Sequence, residues 1–326
     1  MTEKNALIFG VSGQDGALLA RFLSDKAYRV HGTSRDAQMT SFDNLDRVAV
    51  RDRVQFHSAV TTDFRSVLQI LSRVAPDEVY LLAGQSSVGL SFEQPMETLE
   101  SISVGTLNLL EAIRFLGLKT RLYNAGSGDC FGQLDHPADE HTAFRPRSPY
   151  AVAKASAHWA VANYREAYGL HACTGILFNH ESPLRPTRFV TRKVVSAACR
   201  IAAGSGERLR LGNLDIERDW GWAPEYVQAM WLMLQRDRAD DYVIASGRAH
   251  SLRQFVQFVF EALALDWQSH VDIDDALRRP TDIAHSVGSP VKAERELGWR
   301  ANTDLRGVIA HMIAAEQGRP WPMGAD

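Results

Sequence analysis

The sequence predicts an α/β fold: a doubly wound parallel sheet of Rossmann type with a smaller, interleaved C-terminal lobe. Three observations predict it. Short apolar runs alternate with longer amphipathic ones as far as Phe178, a glycine-rich turn sits at the first strand–helix junction, and no repeat or linker breaks the pattern. Ala6–Phe9 reads as a buried strand, and Ala17–Leu23 as part of the helix after it. Arg29–Thr33 and Val54–Phe56 follow as strands, Phe64–Val74 as a helix and Glu78–Leu82 as a strand. A helix from about Thr98 to Leu116, the strand Arg121–Ala125, a helix from about Tyr150 to Tyr168 and the strand Cys173–Phe178 continue the series. Alternation of this kind implies parallel strands joined by right-handed crossovers.

After Phe178 the texture changes to Pro183, Pro186, several arginines and the stretch Gly204 to Gly212, which suits a substrate-binding lobe. Residues 1–178 therefore read as a nucleotide-binding domain and 179–326 as the second lobe. One further strand, Asp241–Ala245, returns to the first domain from within the second.

Composition narrows the function. With 36 Lys+Arg against 39 Asp+Glu, the net charge of −3 lacks the basic excess of a general nucleic-acid binder. No stretch approaches the roughly 18 apolar residues of a membrane span. The N-terminal residues run straight into a strand pattern, without a signal-peptide layout, so the expected location is the cytoplasm. Cys130, Cys173 and Cys199 are too few and too scattered for a disulfide framework or a zinc site, and no metal is expected.

The turn Gly10-Val11-Ser12-Gly13-Gln14-Asp15-Gly16 follows the first strand and opens the first helix. Glycine there permits a tight turn, backbone approach to a pyrophosphate and close helix–sheet packing, and the helix terminus offers free N–H groups to phosphates. At the end of the second strand stands Thr33-Ser34-Arg35-Asp36. Arg35 can pair with a 2′-phosphate, which argues for NADP, while Asp36 keeps NAD open.

Ser148-Pro149-Tyr150-Ala151-Val152-Ala153-Lys154 opens the helix after the fifth strand. Proline suits the first helical turn, and Tyr150 and Lys154 fall four apart on one face. A nearby ammonium favours the tyrosinate and makes the phenol a usable acid/base. The fifth strand ends in Gly126-Ser127-Gly128-Asp129, and ligands of such sheets bind beyond the carboxyl ends of the strands. That adds a hydroxyl and a carboxylate to the pair.

These stretches resemble the extended short-chain dehydrogenase/reductase superfamily, and within it the GDP-mannose 4,6-dehydratase family over nearly the whole length. Carrying the resemblance are Gly13-Gln14-Asp15-Gly16, Pro146 to Lys154, Asn163-Tyr164-Arg165-Glu166, Gly175 to Pro183 with Phe189 to Lys193, Arg218-Asp219-Trp220-Gly221, and Arg279-Pro280-Thr281-Asp282. The resemblance implies oxidation of a GDP-hexose, GDP-mannose or a relative, at C4 by NADP, elimination of water across C5–C6, and return of the hydride to C6. Tyr150 would be the C4-hydroxyl base, with Lys154 tuning it and Ser127 bonding the C4 oxygen. Leu82, Ala83, Gln85, His180 and Arg185 would join the glycine loop at the cofactor. Ser86, Asn179, Lys193, Arg218 and Arg279 would join Ser127 on the GDP-sugar, and a homodimer or homotetramer is implied.

The chain departs from the family at several places. Ser127 stands for the usual threonine, Asp129 for the usual glutamate, and Val60 for an acidic residue expected near the adenine. One residue is also missing between Asp129 and Tyr150. Two competing readings are a plain oxidoreductase or epimerase on a GDP-sugar, and a nucleotide-binding protein with a degenerate site.

Overall fold

A computed structural model describes residues 4–277 and 281–323. Its centre is a seven-stranded parallel sheet made from β1 (Asn5–Phe9), β2 (Arg29–Ser34), β3 (Val54–Ser58), β4 (Glu78–Leu81), β5 (Arg121–Ala125), β6 (Ala172–Leu177) and a later strand. The second lobe supplies β7 (Asn179–Glu181), β8 (Leu209–Leu211) and β9 (Glu217–Trp222); β10 (Tyr242–Ile244) then pairs in parallel with β6 at the edge of the main sheet. The last strands are β11 (Ala249–Ser251), β12 (Val271–Ile273) and β13 (His285–Ser286). Strand order in the main sheet is β10-β6-β5-β4-β1-β2-β3, so the direction of winding reverses between β1 and β4. Open sheets of this kind bind ligands at that reversal, beyond the strand ends.

Both faces of the central strands are covered, which explains why Ala6–Phe9 and Gly175–Phe178 read as continuous apolar runs. Ile8, Tyr80 and Tyr123 point to the face packed by the helices Gln14–Asp25 and Ala223–Gln235. Their neighbours Leu7, Phe9, Val79 and Leu122 point to the other face, under the helices Phe64–Val74, Gly105–Leu116 and Pro149–Tyr168. Period-two alternation thus feeds two cores from one strand.

Local chemistry sets the helix ends. The Asp63 carboxylate accepts from Arg65 N at 3.1 Å to start Phe64–Val74. Ser148 Oγ accepts from Ala151 N at 3.1 Å, Pro149 takes the first helical position, and Gly169 at φ +67° stops the twenty-residue helix that carries Tyr150 and Lys154. The helix expected from about Thr98 begins earlier, at Pro95, and runs to Leu116 through a widened π turn at Glu100–Val104. Proline, acceptable only at a helix start, explains the earlier boundary.

The second lobe has its own core, in which Trp220, Trp222, Phe255 and Phe260 pack with the helices Val190–Ala202 and Leu305–Glu316. Its small sheet pairs β9 with β7 and β13 in parallel and with β11 in antiparallel sense. Apart from the Asp241–Ala245 run, these strands carry no readable signal. Most are two or three residues long, too short for any periodicity. Among the described residues no helix is long and apolar enough to cross a membrane, and no group of three or more His, Cys, Asp or Glu side chains is placed to hold a metal.

Candidate active site

The site forms where β1, β5 and β6 end. Gly10 follows β1 with φ +86°, and a Cβ there would fall 2.8 Å from Ala83 N, so the turn closes only with glycine. Leu82 N donates to Phe9 O at 3.0 Å, which holds Leu82 and Ala83 against that turn. Gly13 caps the helix Gln14–Asp25 without any side-chain hydrogen bond, and a Cβ on it would meet only Gly10 O, at 3.4 Å. The first N–H groups of that helix therefore lack a side-chain cap on an open face, which fits a diphosphate.

Next to the turn lies a dense network. His180 Nε2 sits 2.9 Å from Asp15 Oδ2, and His180 Nδ1 sits 2.8 Å from Phe178 O. Gln14 Nε2 donates to Asp15 Oδ1 at 2.9 Å, and Ser182 Oγ donates to Gln14 Oε1 at 2.8 Å. Arg185 bonds His180 O at 3.2 Å and Glu181 Oε1 at 2.6 Å. Residues of the first turn and of the segment after β6 are thereby locked together. Gln85 stands further along, donating to Ser87 O at 2.8 Å, and Ser86 beside it is exposed.

At the end of β5, Ser127 Oγ accepts from Asp129 N at 3.2 Å, capping the short turn Gly128–Phe131. Lys154 Nζ donates to Ala125 O at 2.7 Å and lies 5.9 Å from the centre of the Tyr150 ring. Tyr150 feels Ser127, Asp129 and Arg185 together, and Lys154 feels Asp15, so hydroxyl, carboxylate, phenol, ammonium and glycine loop converge.

The electrostatics differ from the expected tyrosinate. Burial, then the Asp129 charge, push the Tyr150 phenol well above its ordinary range, while the Ser127 hydroxyl and Arg185 pull it down. Burial also lowers Lys154 to about 8, against the raising effects of Cys130 and Asp15. Desolvation is thus the largest influence on both groups. The protein's own groups keep the phenol protonated.

Arg35 stands past the end of β2, its side chain 86% exposed and 4.0 Å from Glu97. Asp36 is occupied locally, its Oδ1 accepting from Gln38 N at 2.9 Å and Met39 N at 3.2 Å. In the second lobe Asn179 lies in register with Trp220. Buried Arg218 donates to Asp282 Oδ1 at 3.0 Å, and Lys193 donates to Arg210 O at 2.6 Å. Arg279 lies outside the described residues.

One cleft had no sequence signal. Thr40, Asn44, Arg47 and Arg192 line it together with Ser12 and Arg185. Arg47 Nη1 donates to Pro183 O at 3.0 Å, and Asn44 Nδ2 donates to Ser12 O at 3.0 Å. Only the tertiary fold brings this polar stretch to the glycine loop.

Comparison with known proteins gives the family of the chain. The sequence model described as GDP-mannose 4,6 dehydratase matches residues 7–312. The GDP-mannose 4,6-dehydratase of Sinorhizobium fredii is 44% identical over 339 residues, covering 96% of this chain and 97% of its own. GDP-mannose 4,6 dehydratase 1 of Arabidopsis thaliana is 43% identical over 321 residues, covering 95% and 89%. Among solved structures, a UDP-glucose 4-epimerase of Thermus thermophilus in complex with NAD superimposes with TM-score 0.85 at 25% identity, covering 96% of this chain and 99% of that one. From its motifs, its site and these relatives, the chain belongs to the GDP-mannose 4,6-dehydratase family.

Proposed function

We propose that this chain is a lyase that converts GDP-mannose to GDP-4-keto-6-deoxymannose with NADP. The observation that carries the reading is the convergence of Ser127, Asp129, Tyr150 and Lys154 beside an uncapped glycine loop. The bound dinucleotide supplies a hydride acceptor and donor, with a formal positive charge in its oxidised form. The backbone of Gly10, Ser12, Gly13, Gln14, Asp15 and Gly16 holds its diphosphate end, with Leu82, Ala83, Gln85, His180 and Arg185 around it. Tyr150 takes the proton of the C4 hydroxyl, Ser127 bonds the C4 oxygen, and Lys154 holds the nicotinamide ribose. Asp129 removes the C5 proton and delivers a proton to the C6 hydroxyl, which leaves as water. Lys193, Arg218 and Arg279 counter the diphosphate of the sugar nucleotide, with Asn179 and Ser86 as further contacts. Incubation with GDP-mannose and a catalytic amount of NADP tests this. A 4-keto-6-deoxy product with no net NADPH is expected; stoichiometric NADPH would make the protein a plain oxidoreductase.

NADP is favoured over NAD because Arg35 is presented at the end of β2 while Asp36 is spent on its own turn. An exposed pair with Glu97 is worth little, so Arg35 can turn onto a 2′-phosphate at small cost. Such a charge-assisted contact contributes roughly 1.5–3 kcal/mol. Arg35→Ala should weaken NADP binding about tenfold or more and leave NAD nearly unchanged. Equal losses for both would remove Arg35 from the choice.

A second copy of the chain is the partner we infer for the outer face of the helices Gly105–Leu116 and Pro149–Tyr168. Leu107 and Phe115 on one and Val152, Trp159 and Tyr168 on the other are exposed, Trp159 by 63% and Phe115 by 69%. Large apolar residues grouped on adjacent helices mark an interaction surface. Trp159→Glu should convert a dimer or larger assembly to monomer in analytical ultracentrifugation. An unchanged sedimentation coefficient would place the interface elsewhere.

A further inference from the structure

We propose that Asp15 and His180 form one proton-holding couple that keeps the phosphate-binding end of the helix Gln14–Asp25 electrically neutral, so that dinucleotide affinity falls as this proton leaves. The inference rests on the reading of the glycine loop as the dinucleotide site. Asp15 lies in the first turn of the helix whose N-terminus must accept a diphosphate. A bare carboxylate there complements the helix dipole but repels the ligand that uses the same terminus.

Geometry shows how the protein resolves this. His180 Nδ1 faces the Phe178 carbonyl at 2.8 Å, and Nε2 faces an Asp15 carboxylate oxygen at 2.9 Å. A carbonyl oxygen can only accept, and so can an ionised carboxylate. Both ring nitrogens must then carry hydrogen, or the proton must sit on Asp15 itself; in either form the couple is neutral and holds one proton more than a carboxylate beside a neutral imidazole.

The surroundings keep it there. The Tyr226 ring stacks on His180 at 4.6 Å between centres, from the helix Ala223–Gln235. On the glycine-loop helix, Gln14 donates to the other Asp15 oxygen at 2.9 Å and to His180 O at 3.2 Å. From the His180 side come Glu181, paired with Arg185, and Ser182 bonded to Gln14. Lys154 from the helix Pro149–Tyr168 and Tyr123 from β5 act on or feel Asp15, and Asp219 and Glu225 face Tyr226. Burial disfavours the imidazolium, but the Asp15 charge and hydrogen bond overcome it and raise His180 above its usual range. Burial likewise works against the Asp15 carboxylate, and His180 then lowers it. The couple therefore keeps its proton above the ordinary imidazole range, and loss of that proton leaves one uncompensated negative charge beside the diphosphate.

The test is calorimetric binding of 2′-phospho-ADP-ribose, which lacks the nicotinamide, from about pH 7 to about pH 9.5, a range in which the 2′-phosphate stays ionised. The parent protein should lose about tenfold in affinity across it, the size of one unscreened charge at the site. Lys154, at about 8, also loses charge in this range, so the variants are compared in a Lys154→Met background, where a slope should persist. In that background Asp15→Asn should bind with little pH dependence and more tightly at the alkaline end. His180→Gln should bind weakly throughout, and Asp15→Asn/His180→Gln should recover the affinity. A flat Lys154→Met profile, or a slope that survives in Asp15→Asn/Lys154→Met, would overturn the couple. Failure of the parent to bind at any pH would instead overturn the dinucleotide site.

Discussion

Tyr150→Phe is expected to lower turnover by about 10²–10⁴-fold, the usual contribution of a positioned acid/base, while GDP-mannose affinity stays nearly unchanged. The substitution removes one hydroxyl and almost no contact area. Its effect is large because the half-buried phenol stands at the start of a well-capped helix and shares its surroundings with Ser127 and Asp129. Those surroundings hold the proton on: burial and the Asp129 charge both raise the phenol, and Lys154 spends its nearest contact on Ala125 O at 2.7 Å. The basic form is thus the scarce one, and the rate of C4 oxidation should rise with pH as it becomes populated. Single-turnover measurement of nicotinamide reduction against pH reads this directly. A Phe variant retaining more than a few per cent of parental activity would show that the C4 proton leaves by another route.

Much of this was legible in the residues, for physical reasons that differ from part to part. Central strands of the main sheet are buried on both faces, so Ala6–Phe9 and Gly175–Phe178 stand out as apolar runs between turn residues. Tyr150 and Lys154 were readable because helix geometry fixes residues four apart on one face. The His180–Asp15 contact was not, since it joins residues 165 positions apart and depends on the path of the chain after β6. Nor could sequence weigh desolvation against attraction: the spacing of Tyr150 and Lys154 predicts an activating ammonium, yet loss of water is the largest influence on each. The cleft around Arg47 and Arg192 escaped for a third reason. Its members come from unrelated segments, and each alone looks like an ordinary surface arginine.

Asp129→Asn should separate the two halves of the reaction. An amide can neither accept the C5 proton nor protonate the departing C6 hydroxyl, but it leaves Ser127, Tyr150 and Lys154 in place. C4 oxidation should therefore proceed, with reduced nicotinamide building up on the protein in near-ultraviolet absorbance. No 6-deoxy product should be released, and little deuterium should exchange into C5. The parental residue raises a harder question, because aspartate is shorter than the family's usual glutamate by one methylene, roughly 1.5 Å. A misplacement of about 1 Å can cost on the order of 10²-fold in rate. The loop that carries Asp129 is tightly packed at both ends. A Cβ on Gly126 would fall 2.6 Å from Thr174 Cγ2, and Gly132, at φ +71°, lies too close to Arg145 O to admit any side chain. Pinned at both ends, the loop cannot retreat to make room. Asp129→Glu should therefore overfill the site and fail to raise turnover. A glutamate variant several-fold faster than the parent would show that the loop leaves the carboxylate short of the sugar, and normal product formation by the asparagine variant would remove Asp129 from the chemistry.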